Sequence, residues 1–145
     1  MIEIGTDLRV RNFQWDDMRA VVDLMNVSFE ADGVEGRAIY EIEEHEWRSP
    51  DSNPEKDCSV VFDGDNRLVA YGLTEAPRQP NKAYGGFMVH PDVRHTAIAE
   101  YLLDLTERHY VTEAQTRVPQ DVPISVQHWV ADAETYYRQK LEAAG

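Results

Sequence analysis

The stretch from Tyr84 to Tyr110 constrains the fold most, because its hydrophobic pattern switches from strand to helix across one short turn. Tyr84-Gly85-Gly86-Phe87-Met88-Val89 reads as an apolar strand and His90-Pro91-Asp92-Val93 as the turn. A helix follows from about Arg94 to Thr112, with Ile98, Tyr101, Leu102, Leu105 and His109 on one core-facing stripe. A strand-turn-helix unit aims the unpaired N–H groups of the first helical turn, the positive end of the dipole, at one point in space. That geometry suits a phosphate.

The rest of the chain supplies a sheet and helices around this unit. Leu8 to Phe13 alternates as a half-buried strand, and Trp15-Asp16-Asp17 puts acids in a first helical turn. Met18, Val21, Val22, Met25 and Phe29 then define an amphipathic helix ending before Asp32-Gly33. A second helix, about Arg37 to Trp47, is acidic (Glu41, Glu43, Glu44, Glu46), and its narrow stripe of Ile39 and Ile42 predicts a surface position. After a loop over Ser49–Pro54 come strands at Cys58–Phe62 and Leu68–Thr74, joined by hairpin chemistry in Asp63-Gly64-Asp65-Asn66. Pro77 to Asn81 is a second loop, Ala83–Val89 a strand, and Val118–Pro123 a third loop. Ile124–Trp129 alternates as a strand. A last helix runs from Asp132 to about Ala144, with Ala133, Tyr136, Tyr137, Leu141 and Ala144 on one side and Gly145 as its stop. The order β-α-α-β-β-β-α-β-α predicts an α/β fold: a mixed sheet, antiparallel through its short-linked strands and parallel across the last crossover, with helices on both faces. Residues 1–145 read as one domain.

Composition removes several function classes. A net charge of −13 argues against nucleic-acid binding, which needs clustered cations, while leaving room for a small anion in a local positive pocket. The single cysteine, Cys58, lies in an apolar run and reads as a buried small hydrophobe. Glu3, Asp7, Arg9 and Arg11 interrupt any signal-peptide core, and no apolar run reaches a membrane span, so a cytoplasmic location is the default expectation. The five histidines show no paired ligand spacing, and no metal is expected. Neither a Gly-x-Ser-x-Gly elbow nor a Walker-type loop is present.

Val89-His90-Pro91-Asp92-Val93-Arg94 followed by Arg94-His95-Thr96-Ala97-Ile98-Ala99 resembles the Val-x-Pro-x-x-Arg and Arg/Gln-x-x-Gly-x-Gly/Ala motifs of the GNAT (N-acetyltransferase) superfamily. The element order matches that family over nearly the whole chain. The resemblance implies transfer of an acetyl group from acetyl-CoA to a small-molecule or peptide amine. It further implies that Arg94, His95, Thr96, Ala97, Ile98 and Ala99 hold the pyrophosphate, and that Met88, Val89 and Phe87 line the pantetheine arm. Ala97 stands where the family has glycine, whose lack of a Cβ lets the backbone approach the pyrophosphate.

The end of the chain departs further. The family places a tyrosine four residues before a Gly-Phe pair to protonate the departing thiolate; counting back from Gly145 gives Leu141. The usual acid is therefore expected to be missing: Tyr137, four residues earlier on the same face but about 6 Å away, reads more readily as core and could substitute only with a shift of helix or ligand, and Glu44, Glu46, Glu75 and His128 are the candidates for a general base. The family fold continues with two further strands, so the C-terminal strand pair is expected to be missing here. The Ile124–Trp129 edge is then expected to be covered by a second copy or by a further domain. Beside an active acetyltransferase, the sequence leaves open a degenerate interaction domain of the same fold from a tandem protein, or an unrelated α+β ligand-binding domain.

Overall fold

The computed structural model describes residues 7–75 and 81–145. The charge read at Glu3, and Pro77 to Pro80 of the second loop, lie outside the described residues.

Five strands form one sheet whose spatial order follows the sequence. β1 (Arg9–Asn12), β2 (Cys58–Phe62), β3 (Leu68–Glu75) and β4 (Lys82–Val89) make an antiparallel meander, and β5 (Ser125–His128) pairs parallel to β4. The β2–β3 turn is built as its residues demand. Asn66 takes φ +62, and the Asp63 carboxylate accepts from the amides of Asp65 and Arg67 at 3.0 and 2.9 Å.

β3 is buried along nearly its whole length because helices cover both faces, which explains its uninterrupted apolar sequence. α1 (Met18–Asp32) and α2 (Tyr40–Trp47) cover one face, where Tyr71 meets Trp47 with ring centroids 5.5 Å apart. α4 (Ile98–Gln115) covers the other. There the absent Cβ of Gly72 would stand 3.0 Å from Thr106 and 3.4 Å from Leu102, so glycine sets how closely that helix approaches. α5 (Thr135–Ala144) closes the chain.

α2 lies at the surface as its narrow stripe predicts: Ile39 and Ile42 are 50% and 52% exposed, and Trp47 is its buried residue. Three expectations need correction. The loop over Ser49–Pro54 ends in a single-turn helix, α3 (Pro54–Asp57), with proline at its first position, where a missing N–H costs nothing. α4 starts at Ile98 rather than Arg94, because Pro91–Val93 forms a 3-10 turn. Its buried face is Ile98, Ala99, Leu102, Leu103, Thr106, Tyr110 and Ala114, so the core stripe includes small residues that an apolar count overlooks. His109, expected on that stripe, instead meets the Asp57 carboxylate at 2.8 Å.

Cys58 is buried in the main core, and that burial pushes its thiol well above the ordinary range. Among the described residues no helix is long and apolar enough to cross a membrane, and no cluster of three or more His, Cys, Asp or Glu is placed to hold a metal ion.

Candidate active site

β4 and β5 pair only from Lys82↔Ser125 to Gly85↔His128. Beyond that point β5 ends, while β4 runs on through Phe87, Met88 and Val89. His90 N donates to Val69 O at 2.8 Å, so the preceding amide, Val89 N–H, points the other way, toward the edge that β5 has left. Tyr137 of α5 fills that edge. Its Oη accepts from Val89 N at 3.1 Å and donates to Met88 Sδ at 2.8 Å, while its ring meets Phe87 edge-on with centroids 5.0 Å apart. Met88, Val89 and Tyr137 are all buried. Burial raises the Tyr137 phenol against the lowering effects of the Val89 amide and the Arg94 charge, so the hydroxyl stays protonated at neutral pH.

Arg94 joins the same cluster. Its guanidinium donates to both oxygens of Asp32, at 2.6 and 3.0 Å, to Val89 O through Nε at 3.1 Å, and to Tyr137 Oη at 3.3 Å. It also lies 4.8 Å from the centroid of the Tyr136 ring. The cation expected to add positive charge to the turn is thus neutralised by the last residue of α1. Arg94 ties α1, β4 and α5 together through these bonds.

The remaining turn residues divide by role. Thr96 Oγ1 donates to Val93 O at 2.6 Å and accepts from Ile98 N at 3.4 Å, a cap on the first turn of α4. Ile98 and Ala99 are fully buried, so what they offer a ligand is backbone. The amides of His95, Ala97 and Ala99 have no hydrogen-bond partner among the described residues. Ala97 sits at φ −84, ψ 20, where an L-residue carries no strain, so alanine is compatible with this loop's own backbone. His95 is exposed beside it.

Two cavities flank the paired glycines. A cleft of about 850 Å³ is walled by Trp47, Tyr71, Tyr84, Gly85, Gly86 and Trp129, with Glu43, Glu46, Asp51 and Glu75 among its carboxylates. Burial raises the Glu75 carboxyl, as do the charges of Glu46 and Asp51; burial and Glu46 raise Glu43 likewise. A second cavity of about 190 Å³ is lined by Phe87, Met88, His128, Glu134, Tyr137 and Leu141. Tyr71, Gly86 and Trp129 belong to both walls. Glu75 and Tyr137 therefore lie in different cavities, and Leu141 faces the same space as Tyr137. Glu44 is taken up by Arg48, 3.8 Å away.

No family model and no curated protein matches this chain. Solved structures do. A GCN5-related N-acetyltransferase from Sphaerobacter thermophilus superposes with a TM-score of 0.87 at 21% identity, covering 99% of this chain and 44% of that one. A PaiA N-acetyltransferase from Thermoplasma acidophilum, solved with coenzyme A, gives 0.67 at 14% identity over 97% of this chain and 89% of that one. A phosphinothricin acetyltransferase from Sinorhizobium meliloti, in complex with acetyl-CoA, gives 0.59 at 14% identity over 74% of this chain and 61% of that one. The chain has the GNAT fold, and spans less than half the length of the Sphaerobacter protein.

Proposed function

We propose that this chain is an acyl-CoA-dependent N-acetyltransferase that moves an acetyl group from acetyl-CoA to an amine. The observation that carries this reading is the arrangement around β4. The open amides of His95, Ala97 and Ala99 start α4 at one end, and the place where β5 leaves β4 adjoins a carboxylate-lined cleft at the other. The residues present fit such a co-substrate: the unpartnered amides and the helix dipole suit a pyrophosphate, and Ala97 adds no backbone strain. His95, Thr96, Ala97, Ile98 and Ala99 would cradle it, Arg94 would brace the loop from behind, and Met88 and Val89 would line the arm. When bound, acetyl-CoA supplies an activated acyl thioester.

The chain's own groups then have distinct tasks. Tyr137, kept protonated by burial, is the proton donor, standing where Leu141 cannot act. Glu75, with Glu43 and Glu46, makes the 850 Å³ cleft a place for a cationic acceptor, such as a small amine or a basic peptide end. No cation of this chain forms an ion pair with these three among the described residues. A cytoplasmic location and a second copy or domain over the β5 edge remain part of this proposal.

A second reading rests on one contact. Tyr137 already satisfies the Val89 amide, as it would in a degenerate domain whose pantetheine slot has closed. Titration calorimetry with acetyl-CoA, followed by thiol release with amines, separates the two. Heat of binding with release above background supports the enzyme. No heat at millimolar ligand refutes the enzyme and supports a domain whose slot has closed, while binding without release refutes catalysis alone.

A further inference from the structure

The proposed acceptor cleft has a rim that its charge does not explain. Trp129 is 85% exposed and Tyr84 41% exposed, and both wall this cleft. Their place follows from the β4–β5 register. Gln127 stands opposite Tyr84 and His128 opposite Gly85, and side chains alternate between faces along a strand. Val126 packs with Ala83, Tyr110 and Ala114 on the face that α4 covers. His128 turns to that face too, which removes it from the candidates for a base in the cleft. Trp129 comes next and turns to the α1–α2 face, the side of Tyr71, Tyr84 and Gly86.

Trp129 is also the first residue beyond the pairing of β5 with β4. Gly86, which would continue that pairing, has open space beside it, because a Cβ there would meet nothing within 4 Å. Trp129, Tyr71 and Gly86 wall both this cleft and the Tyr137 cavity, so the indole stands where the two meet. Single exposed apolar side chains are ordinary, but two aromatic faces on one concave site mark a place for a ligand. Below them Met25, Trp47, Tyr71 and Leu73 continue the apolar wall. Charge narrows the ligand further. Arg48 is the one lysine or arginine in the lining, and its guanidinium lies 3.7 Å from the centroid of the Trp15 ring and 3.8 Å from Glu44. An acid group on the ligand would thus meet Glu43, Glu46, Asp51 and Glu75 with no free lysine or arginine among the described residues to offset them.

We propose that the acceptor is a primary amine joined by a short aliphatic chain to an aromatic ring, and that it carries no acid group. This rests on the acetyltransferase reading above. The ring of the acceptor lies against the exposed faces of Trp129 and Tyr84, in the offset or edge-on arrangement that aromatic pairs prefer. Its ammonium is drawn by Glu75, which stands opposite Tyr84 across the β3–β4 pair, toward the open stretch of β4 at Gly86. A linear amine without a ring would leave both aromatic faces in water. An amino acid would bring its own carboxylate against those of the cleft. Trp129 is on this account a specificity residue: it chooses the amine and takes no part in the proton transfers.

The test uses the full chain with 2-phenylethylamine as acceptor probe, set against butylamine, which lacks the ring, phenylalanine, which adds a carboxylate, and 1,4-diaminobutane, which trades the ring for a second charge. In thiol-release assays kcat/KM for 2-phenylethylamine should exceed that of each other probe by at least about 20-fold. Trp129→Ala should cut the preference over butylamine to about threefold or less, through KM, and Trp129→Phe should keep most of it. Without acetyl-CoA, the Trp129 indole N–H resonance, identified by its loss in Trp129→Phe, should shift as 2-phenylethylamine is added. The proposal is overturned, with the acetyltransferase reading left standing, by another probe used as well as 2-phenylethylamine, by thiol release with none of them, by an indole resonance unmoved at millimolar probe, or by an unchanged preference in Trp129→Ala. Absence of acetyl-CoA binding by the parent chain brings down the reading itself, and this inference with it.

Discussion

Replacing Asp32 with asparagine tests whether Arg94 is a brace or a ligand for phosphate. The Asp32 and Arg94 side chains are 7% and 15% exposed, and their bidentate contact is 2.6 and 3.0 Å. Removing one partner of such a pair leaves a guanidinium charge without compensation, a loss of about 3–5 kcal/mol. Here Val89 O, Tyr137 Oη and the Tyr136 ring still hold the guanidinium, which places the expected loss at the lower end, about 3 kcal/mol. With a urea slope of about 2 kcal/mol/M for a chain of this size, the unfolding midpoint should fall by about 1.5 M at unchanged slope. The double variant Asp32→Leu with Arg94→Met removes both charges and should recover most of that loss. A cost for Asp32→Asn below about 1 kcal/mol, the range of exposed pairs, would refute the reasoning. So would a double variant less stable than the single one. Arg94 would then be a free cation at the turn, as its motif position alone suggests.

Other expectations follow from single residues. Burial pushes the Asp17 carboxyl up, but the Arg11 guanidinium at 2.7 and 2.8 Å and the Gln14 amide at 2.8 Å bring it below its ordinary 3.8. Its folded value is thus below its unfolded one, so its contribution is complete above about pH 4 and is lost as pH falls through the folded value; urea midpoints across the acid range should show a limb that Asp17→Asn flattens. In mildly alkaline buffer, Cys58 should react with a disulfide reagent only at the rate of global unfolding, which labelling followed by absorbance measures; faster modification of the native protein contradicts its placement in the core. Ala97→Gly should act with opposite signs, lowering stability by about 0.5–1 kcal/mol through chain entropy while tightening acetyl-CoA binding in calorimetry. Gly85→Ala should drive the His128 ring out of its seat, visible in its proton resonance, at a stability cost of about 1–3 kcal/mol.

The meander was legible because its strands are joined by short turns whose residues choose their own geometry; Asn66 at φ +62 is one such choice. The parallel β4–β5 pair was legible because an 18-residue helix lies between the two strands. What the sequence hid were effects of packing on residues that composition treats as neutral. Gly72 and Thr106 turn α4 so that Leu105 and His109 leave the core, and no count of apolar side chains contains that rotation. Asp32 was read only as a helix end, since nothing local says that an arginine 62 residues later will close on it. The seat of the His128 ring was hidden as well, because what makes room for it is a missing Cβ on a neighbouring strand.

The strand-turn-helix therefore splits into a chemical half and a structural half, and the division runs against side-chain charge. Its formal cation, Arg94, is spent on holding Asp32, Val89 and Tyr137 in register. Its uncharged members, the amides of His95, Ala97 and Ala99, lie at the positive end of α4 and have no partner among the described residues. Under the proposed reading, a chain with net charge −13 would thus offer an anion a binding loop made of backbone alone, and keep its acidity for the cleft that a cationic acceptor would enter.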